Sequence, residues 1–226
     1  MKLLYRLMSH KQPVFFVVLS LFLQACTSTQ QANDEQQAEF NYQQQVQKVY
    51  AVRDGQAALS QEQWQQTIND LRYAYAMTLR EEKLLKYLFE NEQNLFELVD
   101  LGQHQACYEM ANQALSISYI NLSAHFAAML CAQNLGLSNQ HTFHSNMVDS
   151  IMRSLGQQRN GRSPETAFVA YCYDDLHAFT LLMELQVKSR QYILHKDVVY
   201  DQLKVVEAAT GDEFDLYFDI SNLMAL

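Results

Sequence analysis

Residues 101–136 read LGQHQACYEMANQALSISYINLSAHFAAMLCAQNLG, the clearest pattern for a pair of helices in the chain. It opens and closes on the same dipeptide, because Leu101-Gly102 recurs 34 residues later as Leu135-Gly136. A turn near residues 118–120 separates two segments that are rich in small side chains. Small side chains let two helices approach closely, so the stretch predicts a pair of antiparallel helices. The small residues that support this prediction are Ala106, Cys107, Ala111, Ala114, Ala124, Ala127, Ala128 and Ala132.

A period of 34 residues is that of tetratricopeptide helix pairs, and the helical region resembles that family in its spacing. We therefore expect tetratricopeptide-like helix pairs over residues 48–158. The resemblance implies a stack of helices of a kind that usually presents a concave binding face and needs cover at its ends.

The helix before this pair is predicted to begin at Ser60, which forms a capping box with Gln63. Apolar residues then recur at helical spacing and predict one buried stripe. Six glycines and two prolines in 226 residues also favour long helices over many turns. The residues of the stripe are Trp64, Ile68, Leu71 and Tyr75.

The last part of the chain, residues 159–226, has a different pattern and predicts a small β-rich module packed on the helices. Its expected order is β-α-β-β-β, and the helix is expected to be capped by Asp174. The fold class is therefore α+β, with helices first and the β-rich module last. The final strand alternates, and its apolar face should be buried. That face consists of Phe214, Leu216, Phe218 and Ile220, and the predicted elements are strands at 166–171, 191–195, 200–207 and 214–220 and a helix at 174–185.

The first residues of the chain form a basic segment, with three Lys or Arg and no acidic residue in residues 1–12, followed by an apolar run. The run ends in LQAC at 23–26, which resembles the signal of bacterial lipoproteins. The resemblance implies that residues 1–25 are a signal peptide and that Cys26 receives the lipid, including fatty acyl chains such as palmitate. A plain secretory signal with an incidental cysteine is the alternative. Thr27, where lipoproteins of the inner membrane often have Asp, favours the outer membrane.

Residues 26–47 are rich in glutamine and poor in large apolar side chains, which predicts a flexible tether. The remaining composition, 49% hydrophobic and 18% charged, is that of a folded domain. Without residues 1–25 the chain keeps 13 basic residues against 25 acidic ones. Such a surface repels phosphate backbones, so nucleic acid is not an expected partner, and the membrane would be reached through the lipid.

Three sets of polar residues are of types that occur in catalytic or metal sites, but their spacing does not predict such a site. His141 and His144 share a helix face but have no further ligand at metal-binding spacing, so we expect two surface histidines. Ser163, His177 and Asp174 or Asp175 occur in one module without a nucleophile elbow. The third set comprises carboxylates that could form an acid–base pair or simply solvate the surface: Glu165, Asp215 and Asp219.

Two further features suggest structural roles with open alternatives. Arg72 lies beside Asp70 and Tyr73, which favours a buried ion pair that fixes helix register over a ligand clamp. Cys107 and Cys131 lie twelve residues on either side of Tyr119, so they should be level on the two antiparallel helices. In an oxidising compartment they would form a disulfide, whereas two small buried thiols are the favoured reading.

Segments of the C-terminal part resemble a bacterial family known only as domain of unknown function forty-nine nineteen. The resemblance rests on GRSPETAF at 161–168, residues 201–205 and LYFDIS at 216–221, with DLRYAY at 70–75 upstream. Where the family usually has Gly-Asp-Gly, this chain has Arg159-Asn160-Gly161. The family brings no established activity or catalytic residues.

The sequence thus predicts a lipid-anchored protein of the cell envelope that binds or scaffolds an envelope protein partner without catalysis, cofactor or metal. The alternative is an envelope enzyme, hydrolase-like, that uses the C-terminal carboxylates. Residues Arg72, Glu165 and Asp219 are the candidates for ligand or partner contacts. A cleft lined by carboxylates of raised pKa would favour the enzyme, and a helical groove with exposed aromatic residues would favour the binding protein.

Overall fold

The computed structural model of the chain describes residues 14–78, 80–90, 95–157 and 159–224, with side chains from residue 33 onward except at 81 and 88–90. The chain divides into two compact units, Met1–Gln37 and Ala38–Leu226. No helix in the described ranges combines the length and apolar character that crossing a membrane requires. The helices are α1 Val14–Arg53, α2 Gln61–Ala76, α3 Arg80–Glu90, α4 Leu95–Asp100, α5 His104–Ile117, α6 Leu122–Asn134, α7 Ser138–Gly156, α8 Asp174–Leu182 and α9 Ser221–Met224, and the strands are β1 Phe168–Val169, β2 Leu185–His195, β3 Val198–Glu207 and β4 Glu213–Asp219.

The prediction of a flexible tether over residues 26–47 is wrong for residues 38–47, which belong to the folded unit. The structure makes this segment part of helix α1, and Tyr42 and Val46 belong to the hydrophobic core. With Val49 they recur at helical spacing, so they form one buried face in spite of the glutamines around them. The hydroxyl oxygen of Tyr42 also accepts the backbone N–H of Tyr119 at 2.8 Å. The folded unit therefore begins at residue 38 instead of 48.

The recurring Leu-Gly dipeptides end two helices in the same way. Gly102 and Gly136 have φ of +69° and +72°, the left-handed conformation that glycine adopts at helix ends. In each turn the backbone N–H of the residue after the glycine donates to a carbonyl five residues earlier, at 2.9 Å. The small residues between them are buried where α5 packs on α6, so the predicted antiparallel pair is confirmed. Its buried small residues are Cys107, Ala111, Ala114, Ala124, Ala127, Ala128, Cys131 and Ala132.

The capping box before α2 is also confirmed. Ser60 Oγ accepts the backbone N–H of Gln63 at 3.2 Å, and the Gln63 side chain accepts the N–H of Ser60 at 2.9 Å. The apolar stripe that follows is buried at Ile68, Leu71 and Tyr75. This helix thus turns its predicted face to the core.

The C-terminal module has the predicted order β-α-β-β-β, and its four strands form a sheet in the order β1-β4-β3-β2. Strand β1 is parallel to β4, and the other pairs are antiparallel. Leu216, Phe218 and Ile220 on the predicted apolar face are buried, whereas Phe214 is half-buried beneath the Arg162 guanidinium. The first predicted strand shortens to two residues, because Pro164–Thr166 forms a 3₁₀ turn.

Gly161 holds this turn against the sheet. Its N–H donates to the Thr166 carbonyl at 2.7 Å, and its own carbonyl accepts the N–H of Tyr217 at 2.8 Å. Its φ is +67°, and a Cβ at this position would lie 2.6 Å from the Phe168 ring. Only glycine therefore suits this position without movement of the ring.

Candidate functional site

A cleft opens where the end of α1 meets helices α5 and α7. Its volume is about 240 Å³. Aromatic side chains form much of its lining, and one carboxylate belongs to it, that of Asp54. The lining residues are Tyr50, Arg53, Asp54, Tyr108, Asn112, Leu115, Ser116, Tyr119, Gln140, Phe143 and His144.

A pair of buried histidines lies at the inner side of this cleft. The Nδ1 atoms of His125 and His144 are 2.9 Å apart, and His125 Nε2 is 3.1 Å from the carbonyl oxygen of Tyr119. Burial lowers the pKa of His125 to about 3 and that of His144 to about 4, and the charge of Arg53 adds to the lowering at His144. Both rings are therefore neutral at neutral pH.

The hydrogen bonds determine which nitrogen of each ring carries the proton. The Tyr119 carbonyl can only accept, so Nε2 of His125 is the donor and its Nδ1 holds a lone pair. That lone pair accepts a hydrogen bond from the Nδ1–H group of His144. In a neutral ring the other nitrogen is then bare, which leaves His144 Nε2 as an acceptor at the cleft.

Arg53 and Asp54 provide the charges of the cleft, and they neutralise each other. Arg53 Nε and Nη2 donate to the two carboxylate oxygens of Asp54 at 2.8 and 3.2 Å. This hydrogen bonding lowers the pKa of Asp54 and raises that of Arg53. The guanidinium carbon also lies 4.2 Å from the centre of the Tyr50 ring, whose edge-on neighbour is Tyr119 at 5.0 Å.

Arg72, predicted as a ligand contact or a buried ion pair, is completely buried. Its Nη2 donates to Oδ2 of Asp175 at 2.7 Å, so the ion pair exists with a partner from the C-terminal module. The predicted neighbours lie elsewhere: Asp70 accepts a hydrogen bond from Gln66, and Tyr73 is exposed. The choice of Asp70 was wrong because residues two apart on a helix point in different directions. Burial also leaves Arg72 out of reach of a ligand.

The candidate carboxylates Glu165 and Asp219 have separate local partners. Glu165 accepts hydrogen bonds from His195 Nε2 at 3.1 Å and Lys196 Nζ at 3.2 Å. Hydrogen bonds from its own backbone N–H and from Lys196 hold its pKa well below the usual range. Asp219 accepts the backbone N–H of Ser221 at 3.0 Å. Neither residue lines the cleft described above.

The residues of the possible catalytic triad have separate structural roles. Ser163 Oγ contacts Thr166 within the 3₁₀ turn, and the His177 side chain is exposed. Asp175 pairs with Arg72, and Asp174 accepts the backbone N–H of Ser123 near the start of α6. The expectation that Asp174 caps its own helix is therefore wrong, because it is already the first residue of α8 and serves another helix.

Cys107 and Cys131 form a disulfide, with their Cα atoms 6.3 Å apart. The favoured reading of two buried thiols is thus wrong, because the turn at 118–120 does bring them level. The expectation of a surface position is also wrong for His144, which is buried. His141 is half-buried, and its Nδ1 donates to the Met129 carbonyl at 3.1 Å. Within the described ranges no group of three or more possible ligands is placed to hold a metal ion.

No pattern in the sequence predicted that the residues of the cleft lie together. Tyr50 and Arg53 fall just after the segment predicted as a tether, and the link between His125 and His144 depends on the packing of α6 on α7. The predicted signal peptide at 1–25 lies partly outside the described residues, and the side chain of Cys26 lies wholly outside them.

Comparisons with protein-family models, with curated proteins and with solved structures returned no match. The resemblance to domain of unknown function forty-nine nineteen therefore stays a prediction, and so does membership of the tetratricopeptide family.

Proposed function

We propose that the chain is a lipid-anchored protein of the bacterial cell envelope with a non-catalytic binding or scaffolding role. Its lipid would be attached at Cys26 after removal of residues 1–25. The residue after the cysteine, Thr27, favours the outer membrane of a Gram-negative bacterium, with the folded unit facing the periplasm. The membrane would be contacted through this lipid, and the acidic composition speaks against nucleic acid as a partner.

The disulfide between Cys107 and Cys131 supports this location independently of the signal sequence. Disulfides form and persist in oxidising compartments such as the bacterial periplasm and are rare in the cytosol. A bridge between two buried residues of packed helices is a structural bond. The chain therefore suits an exported protein.

The observation that carries the binding role is the character of the cleft. Aromatic rings from α1, α5 and α7 line it, beside an arginine, two amides and a buried imidazole acceptor. Binding sites commonly combine such apolar walls with a few convergent polar groups. The aromatic side chains of the cleft are half-buried or buried, so it differs from the groove with exposed aromatic residues that was expected from the sequence, and it supports the binding role through its combination of apolar and polar groups.

The enzyme alternative requires a carboxylate that can act as a general acid at the site. A general acid needs a pKa raised toward neutrality, whereas the pKa of Glu165 is lowered. The one carboxylate of the cleft, Asp54, also has a lowered pKa because Arg53 donates to it. These groups are suited to stay ionised and to fix their neighbours.

In-cell crosslinking followed by affinity purification and mass spectrometry tests the binding role. We expect one defined envelope protein to co-purify with the lipidated chain and to be lost in Tyr108→Ala, which opens the cleft wall. Tyr192→Ala is the matched control, because this tyrosine is exposed on β2 in another part of the fold. Recovery of no protein above background, or equal recovery from both variants, would contradict the proposed role.

A further inference from the structure

In the lining of the cleft, Nε2 of His144 has no hydrogen-bond donor among the described residues. Nε2 of His144 carries a lone pair, because the proton of this ring is on Nδ1 and points to His125. The residue as a whole is only 4% exposed, but Nε2 is not one of its fully buried atoms, so this nitrogen stays accessible to a molecule in the cleft. The cleft therefore selects a ligand or water that brings an O–H or N–H group to this atom.

The lining of the cleft carries no net charge. Arg53 and Asp54 form a bidentate ion pair, and the two histidines are neutral. The whole chain has a formal charge of -9, which disfavours an anionic ligand further. A cationic ligand would have to compete with Arg53 for Asp54. The electrostatics thus favour a neutral ligand.

The other residues of the lining are complementary to a ligand with an apolar face and a polar edge. Tyr108 and Phe143 both lie edge-on to the His144 ring, with ring centres 6.1 and 5.4 Å away, and provide flat apolar surface around the acceptor. Asn112 and Gln140 are exposed. The Asn112 amide donates one N–H to the Tyr108 carbonyl at 2.8 Å and keeps its second N–H and its oxygen for a ligand, and the Gln140 amide can likewise donate and accept. A hydroxyl group also donates and accepts hydrogen bonds. A ring that carries several hydroxyl groups is therefore complementary to these amide side chains and aromatic rings.

The size of the cleft limits the ligand. Its volume of about 240 Å³ lies below the range of roughly 300 to 1,000 Å³ that is typical of sites for drug-sized ligands. One ring unit is therefore the appropriate occupant, either free or as the end of a longer chain that continues into solvent.

We propose that this cleft binds one sugar ring of a neutral glycan, with a hydroxyl group of the sugar donating to Nε2 of His144. The apolar C–H face of the ring would pack on the aromatic wall, and Asn112 and Gln140 would bind further hydroxyls. This inference rests on the proposed binding role. It adds a chemical class of ligand, a neutral sugar, to the protein partner proposed above.

The test is saturation-transfer NMR on the full-length lipidated protein in a detergent without sugar groups. The probes are glucose, galactose, N-acetylglucosamine and their disaccharides, with free amino acids and short peptides in the same panel. We expect transfer to at least one neutral sugar. Binding should weaken about tenfold in Asn112→Ala or Gln140→Ala, the effect of one lost hydrogen bond, and stay unchanged in Gln191→Ala on β2. All three positions are exposed, so the variants should fold.

Transfer to no sugar, transfer only to amino acids or peptides, or equal sugar binding in all three variants would overturn the inference. The proposed envelope role would survive such a result if the same preparation still crosslinks to a defined partner. If both experiments fail, the inference and the proposed function fall together.

Discussion

Arg72 and Asp175 join helix α2 to helix α8 through an ion pair of 2.7 Å between two completely buried side chains. The same carboxylate oxygen accepts the backbone N–H groups of Tyr171 and Cys172, and the guanidinium lies 4.8 Å from the centre of the Tyr171 ring. Asp175, paired with Arg72 of the helical region, therefore organises the loop between β1 and α8. The two parts of the fold depend on each other through this contact.

Arg72→Met should lower the free energy of unfolding by about 3 to 5 kcal/mol, because it leaves the Asp175 charge buried without its cation. Urea denaturation followed by circular dichroism measures the loss. Arg153→Met is the control, since Arg153 and Asp149 form an ion pair with both side chains more than half exposed. Such pairs contribute about 0 to 1 kcal/mol. Equal losses of unfolding free energy in the two variants would show that the buried ion pair contributes no more to stability than the exposed one.

The disulfide should be present in protein isolated from the periplasmic side of the cell. Mass spectrometry after alkylation should show two additional alkyl groups only when the denatured sample is first reduced. The double variant Cys107→Ala and Cys131→Ala should lose about 3 kcal/mol of unfolding free energy, because a loop with a sequence separation of 24 is no longer closed in the unfolded chain. Complete alkylation without reductant would contradict the bridge.

The free energy of unfolding should decrease as the pH is lowered, because of the histidine pair. The pKa values of His125 and His144 are lowered from 6.5 to about 3 and about 4, so the unfolded chain binds protons that the folded chain does not. Their contribution is fully present above pH 6.5 and is lost as pH falls from 6.5 through 4 toward 3. Unfolding free energies measured by urea at several pH values should show this slope.

The variant His125→Asn with His144→Asn should lose stability at pH 7 and show a smaller slope between pH 6.5 and 4. His177→Asn should keep the slope of the wild type, since this side chain is exposed. An unchanged slope in the double variant would assign the acid sensitivity to other groups.

Gly161→Ala should destabilise the fold by more than the roughly 1 kcal/mol that a left-handed non-glycine residue costs. The added Cβ would also meet the Phe168 ring at 2.6 Å. Gly211→Ala is the matched control, because Gly211 has φ +78° with no atom within 4 Å of the added Cβ. Thermal unfolding of both variants separates the backbone cost from the clash, and equal shifts would mean that the ring moves freely.

Cys26→Ser should move the protein from the membrane fraction to the soluble fraction, because the thiol that would receive the lipid is absent. Fractionation of cells with immunodetection measures this, and Cys172→Ser serves as a control that leaves Cys26 intact. Retention of the Cys26→Ser protein in the membrane fraction would contradict the lipoprotein interpretation.

Local patterns in the sequence predicted the local structure well. The Leu101-Gly102 repeat, the Ser60 capping box and the alternation from Phe214 to Ile220 each depend on a few neighbouring residues, and all three reappear in the structure. The burial of Tyr42 and Val46 was hidden because glutamines surround them and lower the average hydrophobicity. Composition averaged over a segment conceals a single apolar face.

The cleft could not be predicted for a different reason. Its residues come from three helices, and the role of His144 depends on a hydrogen bond to His125, nineteen positions away on α6. The partner of Arg72 is 103 residues away. Such contacts follow from tertiary packing, which no local spacing in the sequence specifies.

Because Tyr42 and Val46 belong to the core, tension applied to the chain at residue 38 would reach the folded unit within about one helical turn. The Tyr42 hydroxyl holds the backbone of the α5–α6 turn at Tyr119, so the load would pass to the helix pair that the disulfide ties together. A pull at residue 38 would therefore act directly on the Tyr42–Tyr119 hydrogen bond and on the bridged helix pair.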